Sequence, residues 1–169
     1  MQNKRRAACL LLLSPLLLSA CGFQLRGANG QYRIPFKTLY LSFAESSPLG
    51  NELKRNIRAL GGTEIVNDPK QAEALLQVIS ETRDQKILSV NSQGRVREIS
   101  LYYTLVFHVT NKFGKDLLAP TTISLRRDIS FNESEVMAKE QEEAMLYRDM
   151  QSDLVQQVLR RLAALKPAK

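Results

Sequence analysis

The sequence predicts a two-layer α/β sandwich. About four strands form a mixed, largely antiparallel sheet, and two helices pack on one of its faces. Residues 74 to 131 hold three consecutive stretches in which apolar and polar residues alternate, joined by turn signals. Residues 48 to 60 and about 134 to 165 instead repeat apolar residues at steps of three and four. A sheet with one apolar face needs a cover, and helices with one apolar stripe each supply it.

The first element is FKTLYLSF, residues 36 to 43. Leu39, Leu41 and Phe43 share one face, so it reads as a strand. Ser47 is placed to cap a helix, and Pro48 suits its first turn. Leu49, Leu53, Ile57 and Leu60 form the helix stripe, with Lys54, Arg55 and Arg58 off it, and Gly61-Gly62 stops it. TEIV, residues 63 to 66, suits a short extended piece, and DPKQAEA suits a turn of helix. Leu75 to Val90 is a long strand, closed by the turn signal NSQG. The cleanest strand follows, VREISLYYTLVFHVTN. Ile99, Leu101, Tyr103, Leu105, Phe107 and Val109 take one face. Glu98, Ser100, Tyr102, Thr104, His108 and Thr110 take the other, interrupted only by Val106. After the turn NKFGKD, residues 121 to 131 alternate again. Ile123, Leu125, Ile129 and Phe131 form the apolar side, and Arg127 interrupts it. A strand–helix–strand start predicts a right-handed crossover with parallel strands.

The last helix, about 134 to 165, is capped by Asn132 or Ser134, and Asn132 with Glu135 has capping-box spacing. Tyr147, Met150, Leu154, Val158, Leu162 and Leu165 form its stripe. Acids early (Glu140, Glu142, Glu143) and bases late (Arg160, Arg161, Lys166) complement the helix dipole, and Pro167 ends it. Met137, Met145 and Met150 are expected in the core or on a packing surface.

The start of the chain is of another kind. Lys4, Arg5 and Arg6 precede an apolar run, Ala7 to Leu18, too short to span a bilayer as a helix. Leu18-Ser19-Ala20-Cys21 resembles the lipobox of bacterial lipoproteins. That resemblance implies a signal peptide, 1 to 20, removed ahead of Cys21, with N-acyl and S-diacylglycerol lipid on Cys21. Three acyl chains make an effectively permanent anchor. Gly22 follows, not the aspartate that usually retains lipoproteins in the enterobacterial inner membrane, which points to the outer membrane. Residues 21 to 35, with Gly22, Gly27, Gly30 and Pro35, read as a tether. Residues 36 to 166 then form one globular domain, and 167 to 169 a short tail.

The 169 residues carry 24 basic and 17 acidic side chains, and three of the basic ones leave with the signal. The remaining excess is mild. It fits anionic partners such as phosphorylated lipid and is not a nucleic-acid footprint. Cys9 and Cys21 are the two cysteines, so no disulfide or thiolate metal site is expected. No cofactor other than the covalent lipid is expected. The single histidine, His108, sits mid-strand, and a hydrolase would need Asp128 and Ser130 brought to it by folding. The basic groups are more suggestive. Arg95 and Arg97 follow the hairpin turn, Lys112 and Lys115 mark the other hairpin, and Lys139 opens the last helix. Tyr102, Thr104, Thr122, Ser124 and Arg126 form a row on the polar sheet face, a candidate interface.

CGFQLRG, TLYLSF, PLGNELKRNIRALG, SVNSQGRVREISLYYTLVF and MAKEQEEAMLYRDM stand in one order after the lipobox. That combination resembles the LPS-assembly lipoprotein family, LptE, over nearly the whole mature chain. The resemblance implies a non-enzymatic two-layer sandwich, anchored to the outer membrane. It would plug the lumen of the β-barrel LptD, one to one, help it fold, and deliver lipopolysaccharide with it. Lipopolysaccharide binding in the family falls at two basic positions. One matches Lys139, within MAK. The other, near the hairpin tip, falls at Ser92, which is not basic, so Arg95 or Arg97 would supply the charge. The rival readings are an accessory lipoprotein of another envelope machine, a His108-dependent periplasmic hydrolase, and a carrier of a small apolar ligand.

Overall fold

A computed structural model describes residues 33–131 and 136–167. The signal, Cys21, most of the expected tether, the capping candidates Asn132, Ser134 and Glu135, and the last two residues lie outside the described residues. In chain order the elements are β1 (Thr38–Leu41), α1 (Pro48–Leu60), β2 (Glu64–Ile65), a 3-10 turn (Pro69–Gln71), β3 (Ala74–Val90), β4 (Val96–Asn111), β5 (Asp116–Ser130) and α2 (Val136–Ala164). The sheet runs β2-β1-β3-β4-β5. β1 is parallel to both its neighbours, and β3, β4 and β5 are antiparallel. The fold is the expected α/β class.

Helix α1 forms where its signals stand. The Ser47 hydroxyl accepts from the Gly50 amide at 3.0 Å, Pro48 opens the first turn, and Gly61 leaves the helix at φ 69°. Because α1 fills the connection, β1 and β3 lie parallel, with Leu39 opposite Ala74 and Leu41 opposite Leu76. The sheet has five strands, not four, because Glu64–Ile65 pairs on the outer side of β1. The Thr63 hydroxyl, bonded to the Phe36 carbonyl at 2.9 Å, pins that piece. Strand β5 also begins earlier than the alternation, at Asp116. Pro120 breaks the pattern, yet β5 is an edge strand and needs no donor on its outer side. Between the pairs Phe107↔Thr121 and Val109↔Leu118 the edge strand carries one extra residue, a bulge that holds the proline.

One core joins both layers. Leu39, Leu49, Leu53, Ile57, Leu76, Leu101, Tyr103, Leu105, Phe107, Met150 and Leu154 are fully buried in it. Val155 and Leu159 are buried as well, so the apolar face of α2 is wider than its expected stripe. Ile34, near the end of the stretch read as a tether, is also in the core. Met150 is core as expected, whereas Met137 and Met145, expected in the core or on a packing surface, are exposed on the outer side of α2.

Gly50 is where α1 meets the turn after β1. A Cβ there would stand 2.5 Å from Cβ and 2.7 Å from Cγ of Phe43, atoms too near the backbone to swing aside. Gly50→Ala gains helix propensity of about 1 kcal/mol, but overpacking costs about 1–3 kcal/mol. A net fall in the urea midpoint is therefore expected. A midpoint at or above the wild-type value would show that Phe43 moves freely.

Candidate interaction surface and basic cluster

Both helices pack into the core on the Leu101, Tyr103 and Leu105 side of β4, so the opposite face carries neither of them. On that open face the register places Tyr102 beside Arg126, Thr104 beside Ser124, and Val106 beside Thr122. The five residues predicted as an interface row are thus contiguous. The Thr104 and Ser124 hydroxyls are 2.9 Å apart. Arg126 donates to both carboxylate oxygens of Asp128, at 2.8 and 3.0 Å, and the Ser100 hydroxyl donates to the same carboxylate at 2.6 Å. The Arg126 guanidinium beside Asp128 holds its carboxyl below the usual carboxylate range, with the Ser100 bond adding to this. Lys86 of β3 joins the row: its Nζ lies 5.2 Å from the Tyr102 ring centroid, and the Arg126 guanidinium lies 5.9 Å from it. The surface is polar and aromatic, and its groups are already paired side by side.

The basic candidates separate into two ends of the sheet. Asn91 closes the β3–β4 turn: its side-chain oxygen accepts from the amides of Gln93 and Arg95, both at 2.9 Å. Gly94 takes φ 77° there. Arg97 is two residues on, and its carbonyl accepts from the Phe131 amide at 2.7 Å. Lys139 lies at this same end. Its ammonium donates to the Ser130 hydroxyl at 3.2 Å and to Glu142 at 2.8 Å, and Ser130 is the register partner of Glu98. The fold therefore places Lys139 at the sheet end that carries Arg97, with Arg95 further towards the tip. Lys112 and Lys115 sit at the other end of β4, roughly 50 Å from Arg97 at strand rise, and do not join the cluster.

Between the helices and β3 lies a polar network that no spacing in the sequence announces. A bulge at Ile79 shifts the parity of β3, so Glu81, Arg83 and Gln85 turn to the helix side, opposite Leu105, Tyr103 and Leu101. Glu81 accepts from the hydroxyls of Tyr103 at 2.6 Å and Ser47 at 2.9 Å. Arg83 donates to the Tyr103 hydroxyl and to Gln151 of α2, and its guanidinium lies 4.5 Å from the Tyr103 ring centroid. Gln151 in turn donates to Glu52 of α1 at 2.5 Å. Gln85 meets Glu143, and the Tyr147 hydroxyl donates to the Asp84 carbonyl at 3.1 Å. Burial, then the Glu81 bond, push the Tyr103 hydroxyl up to about 12. Tyr103→Phe should cost about 1.5–3 kcal/mol, because Glu81 loses a donor in a half-buried site. Neutral Tyr103 is favoured by folding, so stability falls as pH rises from 10.0 to about 12. That alkaline fall should be shallower in Tyr103→Phe when denaturation is followed against pH. An identical pH profile would remove Tyr103 from the network's energetics.

The comparisons with known proteins agree with this architecture. The LptE family, described as lipopolysaccharide-assembly, matches residues 36–162. The chain belongs to the LptE family. It is 30% identical to the LPS-assembly lipoprotein LptE of Yersinia enterocolitica over 174 aligned positions, covering 98% of this chain and 80% of that protein. Among solved structures it is similar to lipoprotein B of Nitrosomonas europaea, with a TM-score of 0.72 and 35% identity, covering 85% of this chain and 91% of that one. It is also similar to a minor lipoprotein of Acinetobacter baumannii, with a TM-score of 0.63 and 26% identity, covering 81% and 99%.

Within this LptE-family chain the fold does not bring Asp128 or Ser130 to His108. Asp128 pairs with Ser100, eight residues along β4 from His108, a separation of roughly 26 Å. Ser130, opposite Glu98, is further still. What His108 does meet is Asp116, at 3.6 Å. Among the described residues no helix is long and apolar enough to cross a membrane. Nothing in the sequence of this LptE-family chain marks Lys86, Glu81 or Arg83, and Ser130 stands out there only as a candidate partner of His108. The alternating run of β4 could have pointed to Lys86 as a cross-strand neighbour of Tyr102, had the β3 bulges been legible.

Proposed function

We propose that this chain is a non-enzymatic lipoprotein of the outer membrane that plugs and stabilises the β-barrel LptD during lipopolysaccharide assembly, and that it binds lipopolysaccharide. Membership of the LptE family gives it a part in lipopolysaccharide assembly. The lipid on Cys21 would hold it at the inner leaflet. The observation that carries the plug reading is the open sheet face, with Tyr102, Thr104, Thr122, Ser124 and Arg126 in one contiguous polar row. A barrel lumen is polar and wet, and a plug inside it needs a polar surface with hydrogen-bonding groups in fixed places. The row supplies that, and the polar network beneath keeps the helices seated behind it.

Lys139 with Arg97 and Arg95 supports phosphate binding at the hairpin end. Among the described residues two of the three Lys139 donors are engaged, by Ser130 and Glu142. A cation in the first turns of a helix opposes the dipole, so folding alone does not favour it there. Lys139→Asp should weaken lipopolysaccharide binding roughly tenfold or more, at the strength of a charge-assisted bond. Its effect on stability should stay within about 1 kcal/mol, because the aspartate suits the helix N-terminus while it repels Glu142. Equal binding by the folded variant would remove Lys139 from the site. The whole reading is tested by purifying the tagged, lipidated protein from solubilised outer membranes. A large β-barrel in near one-to-one amount is expected. Components of a different envelope machine would favour the accessory-lipoprotein reading.

A further inference from the structure

The far end of the β3–β4 hairpin carries apolar side chains that the core does not use. Ile87, Leu88 and Val90 are 64%, 46% and 55% exposed. The register sets Ile87, Ile99 and Ile129 in one cross-strand row on the helix side of the sheet. Ile129 is only 4% exposed and Ile99 partly buried, so cover fails progressively from β5 to β3. The start of α2 is tied to the β5 side through Lys139 and Ser130, and among the described residues Ile87 on the β3 side keeps most of its surface exposed. Val90 pairs with Val96 just beyond, and Leu88 is the extra residue of a bulge between Ile87 and Ser89. A solvated hairpin end would alternate with polar residues at these places. Here an aliphatic shelf about 10 Å long stands instead.

Arg95 and Arg97 follow the turn beside that shelf, and Lys139 stands on the β5 side of the same sheet end. An acidic peptide or a nucleic acid would satisfy the cations and leave the aliphatic groups wet. An amphiphile with an anionic head and an acyl tail satisfies both. We infer that the shelf of Ile87, Leu88 and Val90 holds an acyl chain of the lipopolysaccharide whose phosphates meet Arg95, Arg97 and Lys139. The inference rests on the lipopolysaccharide-binding reading above and adds the part of the molecule that is gripped.

The test uses the full lipidated chain in nanodiscs of phosphatidylcholine. Two probes are titrated: purified lipopolysaccharide, and the same material with its acyl chains removed. The variant is Ile87→Ser with Val90→Ser, two exposed positions whose change should leave the melting temperature as in wild type. The expected result is an affinity for intact lipopolysaccharide lower by at least about tenfold, with binding of the deacylated form unchanged. Wild-type affinity of the double variant for both probes would overturn the shelf and leave the charged site standing. Failure of the wild-type protein to bind either probe would overturn the binding reading, and the shelf with it.

Discussion

Phe107→Ala is expected to lower the free energy of unfolding by about 3–5 kcal/mol, the cost of deleting a fully buried aromatic ring and leaving its cavity. Phe107 has no exposed surface, and it sits on β4 between Leu105 and Val109 on the helix side. Its register partners are Val78 of β3, just before the β3 bulge, and Thr121 of β5, at the edge of the β5 bulge. Neither strand can shift to fill the void without moving a bulge that sets register. The fall should be read from equilibrium urea unfolding, with the slope unchanged and the midpoint lowered. Thr104→Ala, on the open face of the same strand, removes one cross-strand hydroxyl contact and should cost no more than about 1 kcal/mol. Comparable losses in the two variants would contradict the assignment of faces. The contrast matters for function, because the open row can be altered to probe a partner without unfolding the domain.

Cys21→Ser should have the largest effect in the cell. Acyl anchoring contributes about 0.8 kcal/mol per buried methylene, and a serine forms no thioether to diacylglycerol. Incorporation of labelled palmitate should disappear, and the protein should leave the outer-membrane fraction. Without an anchor, its meeting with a membrane-embedded barrel depends on bulk concentration, so recovery of any barrel partner should fall too. Wild-type palmitate labelling of Cys21→Ser would show that another residue is acylated.

Much of the fold was legible because its strongest signals are local. The alternation of β4 named its buried face residue by residue, and Ser47-Pro48 and Gly61 marked both ends of α1. The row on the open face was legible for the same reason: once β4 and β5 alternate as neighbours, Tyr102 and Arg126 fall on one face. Register was not legible. The bulge at Ile79 turns Glu81 and Arg83 towards the helices, and only pairing with β4 shows it. A two-residue strand such as Glu64–Ile65 is too short to carry a period, and Pro120 hid the first five residues of β5 behind a rule that edge strands relax. Among the basic residues, spacing placed Arg97 and Lys139 in separate elements. Their common location follows from Ser130, opposite Glu98 and bonded to Lys139.

The open sheet face is the centre of this account, and a photo-crosslinker placed at Thr104 tests it most directly. Thr104 lies mid-row, between Tyr102 and Val106, on the face away from both helices. A matched crosslinker at Gln156, an exposed position on α2, serves as the comparison. In intact cells Thr104 is expected to form a strong adduct with a large outer-membrane β-barrel. No such adduct from Thr104, with a barrel adduct from Gln156 alone, would contradict it and would turn the functional surface to the helical layer.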